Sequence, residues 1–397
     1  MRSTMLSAAL LAGSISVVHL GAAQRNPGSA DPRVISYQLP RAEATLGVAP
    51  APRLDLGSAG TEAETFSWIV AVRQQASGRI LVATFDPIAI RVFERDGRLV
   101  ATFGRKGQGP GEYFDISDLV VLPRDSLVVL DRMQRRISIL GPDGSYASSF
   151  SFKAPFATSP FDVSLQPLLD GTLLIGYAEV TATQPSPDPV SVYQYAGRYS
   201  TAGVRIGSVA KFFAGEYFLQ ATPGGYGGGS AFWDRAFGRR GTLLATGESI
   251  LAGDASTPEI RRYSPTGALL EIHQVPLPTT PITAVMIARY RTEALAKAKP
   301  TERAIEERRV GEMPYPTQLP AYRRFLEDAK GRIWLQLYGY PMPAPNRWVV
   351  LDPATRQARA VLLPDRFHPY VIGAREILGT WQDADDVEHV RAYRLLF

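Results

Sequence analysis

SGRILVA, at residues 77–83, is a turn followed at once by a run of β-branched and apolar residues, a pattern typical of a turn that feeds a strand. Five further stretches share it: RDSLVVLD (124–131), DGTLLIG (170–176), TGESILAG (246–253), KGRIWLQ (330–336) and AREILGTW (374–381). The steps between the markers Gly78, Ser126, Gly171, Gly247, Gly331 and Glu376 are 48, 45, 76, 84 and 45 residues. A period of about 40 to 50 residues indicates a propeller or a solenoid, and the two long steps indicate insertions.

Further strands flank each copy. A strand, a turn and another strand follow in IRVFERDGRLVATF (90–103), ISILGPDGSYASSF (137–150), IRRYSPTGALLEIHQV (260–275), WVVLDPATRQARAVLL (348–363) and, more loosely, VYQYAGRYSTAGVRIGSV (192–209). One more apolar strand precedes the copies, as in SDLVVL (117–122) and RGTLLAT (240–246). Four antiparallel strands make one propeller blade, so the sequence predicts an all-β, six-bladed β-propeller of four-stranded blades.

The two ends of the repeat array do not match. The sixth copy finishes with VRAYRLLF (390–397) and lacks a fourth strand, whereas PRLDLG (52–57) stands alone before the first copy. An N-terminal strand that completes the last blade would pair an edge that is otherwise exposed. We therefore expect the ring to be closed by the beginning of the propeller, over residues 50–397.

The composition favours an exported globular protein. The chain is 45% hydrophobic and 20% charged, has no cysteine, and carries 43 basic against 38 acidic residues. This scattered net charge of +5 argues against a nucleic-acid partner. Residues 1–23 resemble a signal peptide, with Arg2, an apolar run and small residues at 21–23, although a membrane anchor is the alternative. We expect residues 24–49 to be a linker and the mature monomer to be periplasmic or secreted, with no transmembrane segment.

Two segments depart from the strand pattern. Residues 281–310 have helical character and predict a small helical insertion between blades four and five, in which Thr301 could cap a second helix. The insertion could be a lid or docking arm, or a helical hairpin packed on the blade rims. The run GGYGGG (224–229) is either a loop that closes over a ligand or a plain flexible connection.

A resemblance supports the fold. FGRKGQGPGEY (103–113) and the strand pair ending in ISILGPDGSY resemble the bacterial six-bladed β-propeller family, whose architecture is related to NHL-repeat and TolB-type propellers. YPTQLPAYRRFLEDAKGRIWLQ (315–336) and VEHVRAYRLL (387–396) are similar to its fifth and sixth blades. The resemblance runs from about Pro52 to Phe397. The family has no settled catalytic motif, so the resemblance implies no active-site residues.

Candidate site residues come from the repeat spacing, because propeller sites form where loops converge at one mouth of the channel. The residues about eight positions before each marker, and their neighbours, are Glu112, Asp118, Asp162, Arg239, Tyr322, Arg323 and His368. Such a ring could bind a polar ligand, and Asp118 with Asp162 could hold Ca²⁺ through oxygen ligands. Alternatively, these side chains satisfy strand ends or form ion pairs between blades.

The glycine-rich stretch 104–111 contains Arg105 and Lys106, and its backbone amides could form an anion-binding loop. A tight corner between blades would need the same glycines. No Gly-Lys-Ser/Thr sequence is present, so it is not a nucleotide-binding loop of that kind.

The clear repeats and the missing catalytic signatures predict a binding module, with a small polar ligand, glycan, peptide or envelope protein as partner. The alternative is a Ca²⁺-dependent, lactonase-like hydrolase with its site at the channel mouth, since channel carboxylates could hold a metal. Only four histidines occur, which disfavours a histidine-rich zinc site. A third hypothesis is a structural component of an envelope assembly.

Overall fold

Six sheets of mainly antiparallel strands correspond to the six repeats. The computed structural model describes residues 31–39, 44–58, 60–61, 64–152, 163–179, 185–221, 230–341 and 344–397, and all the elements belong to the unit Pro32–Phe397. Three short strands come first: β1 (Arg33–Ser36), β2 (Thr45–Leu46) and β3 (Leu54–Leu56). Blade one contains β4 (Ile69–Gln74), β5 (Ile80–Thr84), β6 (Ala89–Phe93) and β7 (Leu99–Phe103). A small parallel pair, β8 (Arg105–Lys106) and β9 (Glu112–Tyr113), leads to blade two.

The next blades follow in chain order. Blade two contains β10 (Ile116–Val121), β11 (Leu127–Asp131), β12 (Arg136–Leu140) and β13 (Tyr146–Ser151). Blade three contains β14 (Val163–Pro167), β15 (Leu173–Glu179), β16 (Val190–Tyr199), β17 (Arg205–Ala221) and β18 (Ser230–Asp234). Blade four contains β19 (Thr242–Thr246), β20 (Ser249–Gly253), β21 (Glu259–Tyr263) and β22 (Leu269–Gln274).

Two helices, α1 (Ala284–Lys297) and α2 (Arg303–Glu312), separate blades four and five. Blade five contains β23 (Arg324–Glu327), β24 (Ile333–Gln336), β25 (Arg347–Asp352) and β26 (Gln357–Leu362). Blade six contains β27 (Phe367–Ile372), β28 (Glu376–Gln382) and β29 (Glu388–Arg394). No helix in the described residues is long and apolar enough to cross a membrane.

The strands are continuous apolar runs because both faces of each blade are covered. In β5, Ile80 and Val82 pack in the cluster shared with blade six, whereas Leu81 and Ala83 pack in the cluster shared with blade two. Successive side chains of a strand point to opposite faces, so one run serves two interfaces. Six such clusters occur, one between each pair of neighbouring blades.

The first strands of the blades surround the channel. Contacts join β4 to β10, β10 to β14, β14 to β19, β19 to β23 and β27 to β4. The Arg324 Nη2 atom on β23 donates to the Pro369 carbonyl oxygen on β27 at 3.4 Å, which supplies the remaining link. The architecture is therefore a closed six-bladed β-propeller.

The N-terminal strands close the ring and also extend it. As predicted for residues 52–57, β3 is the fourth strand of blade six and pairs antiparallel with β29. The predicted linker 24–49 is different in the structure, because β1 and β2 add as parallel fifth strands to β22 of blade four and β26 of blade five. The described residues before β3 therefore add one strand each to the outer edges of blades four and five.

The two long steps of the repeat have different causes. Between blades three and four the extra residues lengthen the hairpin of β16 and β17 and add β18, so blade three has five strands. Between blades four and five they form the helical insertion, where the Thr283 hydroxyl accepts from the Met286 N–H at 3.2 Å and caps α1. Thr301 does not cap α2, which follows Glu302 without a side-chain hydrogen bond.

Candidate functional site at the channel mouth

The first strand of every blade begins at the same face of the ring, which we call the upper face. The loops that enter β4, β10, β23 and β27 lie there, together with the hairpins between the second and third strands. These loops place Trp68, Phe114, Arg323 and the start of β27 around one mouth of the channel. This face is where the sequence predicted a ligand site.

Two arginines and a histidine from blades five and six converge at this mouth, and we call them the cationic cluster: Arg323, Arg324 and His368. The Arg324 Nε atom donates to the Gln336 Oε1 atom at 3.1 Å, and its guanidinium lies 5.6 Å from the Trp348 ring centroid. The Arg323 guanidinium lies 5.9 Å from the Tyr338 ring centroid. Within the described part of the chain, neither arginine forms an ion pair with a carboxylate.

The pKa values of Arg324 and His368 are shifted, and no carboxylate among the described residues neutralises the two arginines. Burial, and then the nearby Arg323 charge, lower the pKa of Arg324, which nevertheless stays protonated. His368 is exposed at the mouth, yet partial burial and the charges of Arg324 and Arg323 lower its pKa below 6.5. At neutral pH the cluster therefore holds two fixed positive charges beside a neutral imidazole, which favours an anion.

A pocket between blades five and six surrounds part of the cluster. Its polar lining includes Arg323, Gln336, Asn346, Arg366, His368 and Gln382. The Asn346 side chain is held by four neighbours. Its Oδ1 atom accepts from Gln336 at 3.2 Å and from Trp348 at 2.8 Å, and its Nδ2 atom donates to the carbonyls of Phe367 at 2.7 Å and Pro364 at 3.0 Å. The pocket wall is thus fixed before any ligand arrives.

Asp118, predicted as a ligand residue, lies on β10 and pairs with Arg73 of blade one, with Nη2 and Oδ1 2.9 Å apart. Burial raises the pKa of Asp118 against the opposing effect of Arg73. Asp162, its predicted partner for Ca²⁺, lies outside the described residues. Within those residues no three His, Asp or Glu side chains are grouped closely enough to share a metal ion. The Ca²⁺ site stays a prediction.

Arg239 and Tyr322 are engaged in contacts between blades three, four and five. The Arg239 guanidinium binds Glu216 at 2.8 Å and Asp254 at 3.4 Å, and so links blades three and four. Tyr322 is 1% exposed in the core between blades four and five, where its hydroxyl accepts from the Ala255 N–H at 3.1 Å. Because its hydroxyl is enclosed in that core, Tyr322 is not accessible to a ligand.

The predicted anion-binding loop contains its own anion. The Glu112 carboxylate accepts from the Gly109 N–H at 2.9 Å and from the Arg105 Nε atom at 2.9 Å, and these contacts lower the pKa of Glu112. Arg105 and Lys106 are exposed on β8. Glu112 therefore takes the place in this loop that an anionic ligand was expected to occupy.

An exposed apolar surface, which we call the apolar ledge, lies on the upper face beside blades one and two. It consists of Trp68, Phe85, Phe114 and Met133, with exposures of 68%, 37%, 40% and 64%. The Trp68 and Phe85 ring centroids are 5.1 Å apart. The sequence analysis did not predict the ledge. Trp68 and Phe114, which stand just before the first strands of blades one and two, could have indicated it.

The helical insertion is packed down on the upper face. Phe237 lies 4.9 Å from Tyr340 and 5.6 Å from Tyr290 between ring centroids, and the Tyr340 hydroxyl donates to the Met286 carbonyl at 3.2 Å. The Gln220 amide donates to Glu312 at 2.8 Å. The insertion therefore bridges blade three and the loop after the second strand of blade five, as expected for a hairpin on the blade rims. The glycine run 224–229 lies outside the described residues.

Comparisons with known proteins agree on the architecture. A family model described as a 6-bladed beta-propeller, DUF5128, matches residues 65–161. A Bacteroides fragilis protein whose export is inferred has 13% identity and a TM-score of 0.50, with 92% of this chain and 100% of that chain covered. The chain has the fold of the bacterial six-bladed β-propellers.

More distant likenesses concern the fold alone. A Bacteroides vulgatus member of the duf4221 family has 9% identity and a TM-score of 0.46 over 88% of this chain and 98% of that one. Virginiamycin B lyase from Staphylococcus aureus has 10% identity and a TM-score of 0.40 over 82% and 94%. These values carry no argument about activity. No curated protein matches the sequence.

Proposed function

We propose that this propeller is an exported module that binds an anionic ligand at the cationic cluster on its upper face. The observation that carries the proposal is that Arg323, Arg324 and His368 converge from two blades, while the arginines contact only neutral groups among the described residues. The N-terminal segment and the exported neighbour support a periplasmic or secreted location. A monomer is the expected state.

No carboxylate among the described residues neutralises the positive charge of Arg324. Burying a cation without a counter-ion is unfavourable, and natural proteins usually pair such groups. Arg324 instead has an amide oxygen, a carbonyl oxygen and an indole ring as neighbours. A carboxylate, phosphate or sulfate at the cluster would form charge-assisted hydrogen bonds in partly desolvated surroundings, where such bonds are strong.

The rigid wall supports recognition of a ligand. Gln336 and Asn346 are 9% exposed each and are bonded to one another, so ordering them on binding costs little conformational entropy. Among the expected partners, those that bear an acidic group fit this site. An acidic peptide, an acidic glycan or a small organic anion uses both arginines, whereas a neutral glycan uses neither.

The test is calorimetric titration of the full-length mature protein with sulfate and with acetate. Arg324→Gln is expected to weaken sulfate binding about tenfold or more, because a hydrogen bond to a charged group contributes about 1.5–3 kcal/mol. Arg323→Gln, at an exposed position, should weaken binding in the same direction with little effect on folding. Thermal melting checks that both variants are folded.

The matched control is Arg98→Gln. Arg98 is an exposed arginine at the turn between β6 and β7, on the opposite face of the ring. The Arg98→Gln substitution should leave sulfate binding unchanged. Absence of binding by the unmodified protein, or an equal loss in the Arg98 variant, would show that the cluster is not an anion site.

A further inference from the structure

We infer that the ligand is a single-chain amphipathic anion, with its acidic head in the cationic cluster and its hydrocarbon part on the apolar ledge. The inference rests on the proposed function, since the cluster supplies the head-group site. It narrows the ligand from any anion to one that carries a flexible apolar tail. It also assigns a role to the ledge residues Trp68, Phe85, Phe114 and Met133.

The first observation is the exposure of the ledge. Contiguous exposed apolar side chains on a soluble protein mark binding surfaces, whereas single exposed ones do not. Trp68, the most exposed of the four at 68%, has a φ of 59°, which is a left-handed conformation that is uncommon for tryptophan. Such backbone geometry recurs at ligand sites, where the surrounding structure maintains it.

The second observation is continuity between the ledge and the cluster. The Tyr370 hydroxyl on β27 donates to the Val70 carbonyl on β4 at 3.4 Å, and Val70 lines the ledge pocket beside Trp68. On its other side, Arg324 donates to Pro369, the residue before Tyr370. Blades five, six, one and two are consecutive in the ring, so one extended ligand can reach from the cluster to the ledge across β27 and β4.

The third observation is the chemistry of the ledge itself. The polar side chains beside the ledge form hydrogen bonds with one another: the Asp115 Oδ2 atom accepts from Ser117 at 2.6 Å and from Arg132 at 3.2 Å. The Phe114 N–H donates to Asp131 at 2.8 Å. A sugar ring or a peptide backbone brings hydroxyl or amide groups that need partners, and burying them unpaired is costly. An alkyl chain needs none, so the ledge favours hydrocarbon.

The experiment compares acetate with octanoate on the full-length mature protein, by calorimetry. Octanoate is expected to bind at least a hundredfold more tightly than acetate, since each buried methylene contributes up to about fourfold in affinity. Trp68→Ala should remove most of this gain and leave acetate and sulfate binding unchanged. Arg324→Gln should weaken acetate, sulfate and octanoate alike.

A spectroscopic readout locates the tail. Trp334 and Trp348 are fully buried and Trp233 and Trp381 are half-buried, whereas Trp68 is 68% exposed. Octanoate binding should shift the tryptophan emission to shorter wavelength, and Trp68→Phe should abolish this shift while keeping the affinity. Tyr146→Ala is the matched control, because Tyr146 is 40% exposed on the outer strand of blade two, and it should change nothing.

The outcomes separate this inference from the proposed function. Equal affinities for acetate and octanoate, or an octanoate gain that survives Trp68→Ala, would overturn the inference and leave anion binding intact. Binding to vesicles of anionic phospholipid without binding of octanoate would overturn it as well. Failure of sulfate, acetate and octanoate alike would remove the proposed function, and the inference with it.

Discussion

At the scale of single residues, Arg324 differs from three partly buried arginines of the ring that pair with carboxylates, and is similar to Arg136, which donates to the Gln108 and Glu112 carbonyl oxygens. Arg73 pairs with Asp118 at 2.9 Å, Arg262 with Glu327 at 2.8 Å and Arg391 with Asp55 at 2.7 Å. Arg324 has neutral acceptors in the part of the chain that the structure describes. The pairs hold neighbouring strands or blades together, whereas the charge of Arg324 is the one that we propose binds the ligand.

His368 should make anion binding depend on pH. Its pKa is below 6.5 in the ligand-free protein because of partial burial and the Arg324 and Arg323 charges, so the imidazole is neutral at pH 7. A bound sulfate favours the protonated ring and raises this pKa, which means that binding takes up a proton. Sulfate affinity should therefore rise as the pH falls below neutrality, by up to about tenfold per unit of pKa change.

Calorimetry at several pH values measures this dependence, and sulfate stays ionised throughout the range. His368→Asn should flatten the profile. Arg366, which lines the same pocket and pairs with Asp386 at 3.4 Å, keeps its charge over this range and cannot replace His368. An unchanged profile in the His368 variant would assign the proton uptake elsewhere.

At the scale of elements, the closing strand β3 is a structural part of blade six although it comes from the other end of the chain. Leu54 and Leu56 are 8% and 1% exposed and pack in the cluster between blades six and one. The Asp55 carboxylate between them accepts from His389 at 2.8 Å and from Arg391 at 2.9 Å. Both faces of this short strand are therefore fixed by blade six and its neighbour.

Leu56→Ala should destabilise the ring by about 2–5 kcal/mol, since it opens a cavity in a packed cluster. Leu46→Ala on β2 is the matched control, because Leu46 is 40% exposed, and its cost should be within about 0.5 kcal/mol. Urea unfolding of the full chain, followed by circular dichroism, gives both values. Equal costs for the two substitutions would mean that β3 does not hold blade six.

At the scale of the whole molecule, stability comes from six interfaces of similar kind arranged in a circle. Each blade buries its two faces against its neighbours, and no cysteine is present to supply a disulfide. Blade six is the composite one, with strands from both ends of the chain. Loss of β3 would leave an unpaired edge at β29, and such edges promote aggregation.

A chain that begins at residue 60 should therefore aggregate, or unfold at a lower temperature than a chain that includes residues 31–58. A synthetic peptide spanning residues 31–58, added in trans, should restore a monodisperse species. The same peptide with Leu54→Asp and Leu56→Asp should not, because charged side chains cannot enter the cluster. Size-exclusion chromatography with light scattering distinguishes these outcomes, and a monodisperse truncated chain without peptide would contradict the closure described for β3.

The sequence by itself determined the local and periodic features of this protein. The turn glycines, such as Gly97 and Gly144 with φ of 98° and 85°, and the apolar runs depend on residues close together in the chain. The offset of about eight residues before each repeat marker also selected Arg323 and His368, which lie at the upper face. Closure by residues 52–57 followed from counting strands, since a missing fourth strand and an unpaired one complement each other.

Only the tertiary structure decided which side chains meet. Tyr322, Arg323 and Arg324 are consecutive, yet the first is in the core and the next two are in the cationic cluster. Tyr322 is held in the core by Ala255 and Phe325, which its sequence neighbours do not indicate. Pairing of β1 and β2 with strands more than 200 residues away leaves no local pattern. The apolar ledge is built from loops of two blades, and its members become neighbours only when the ring forms.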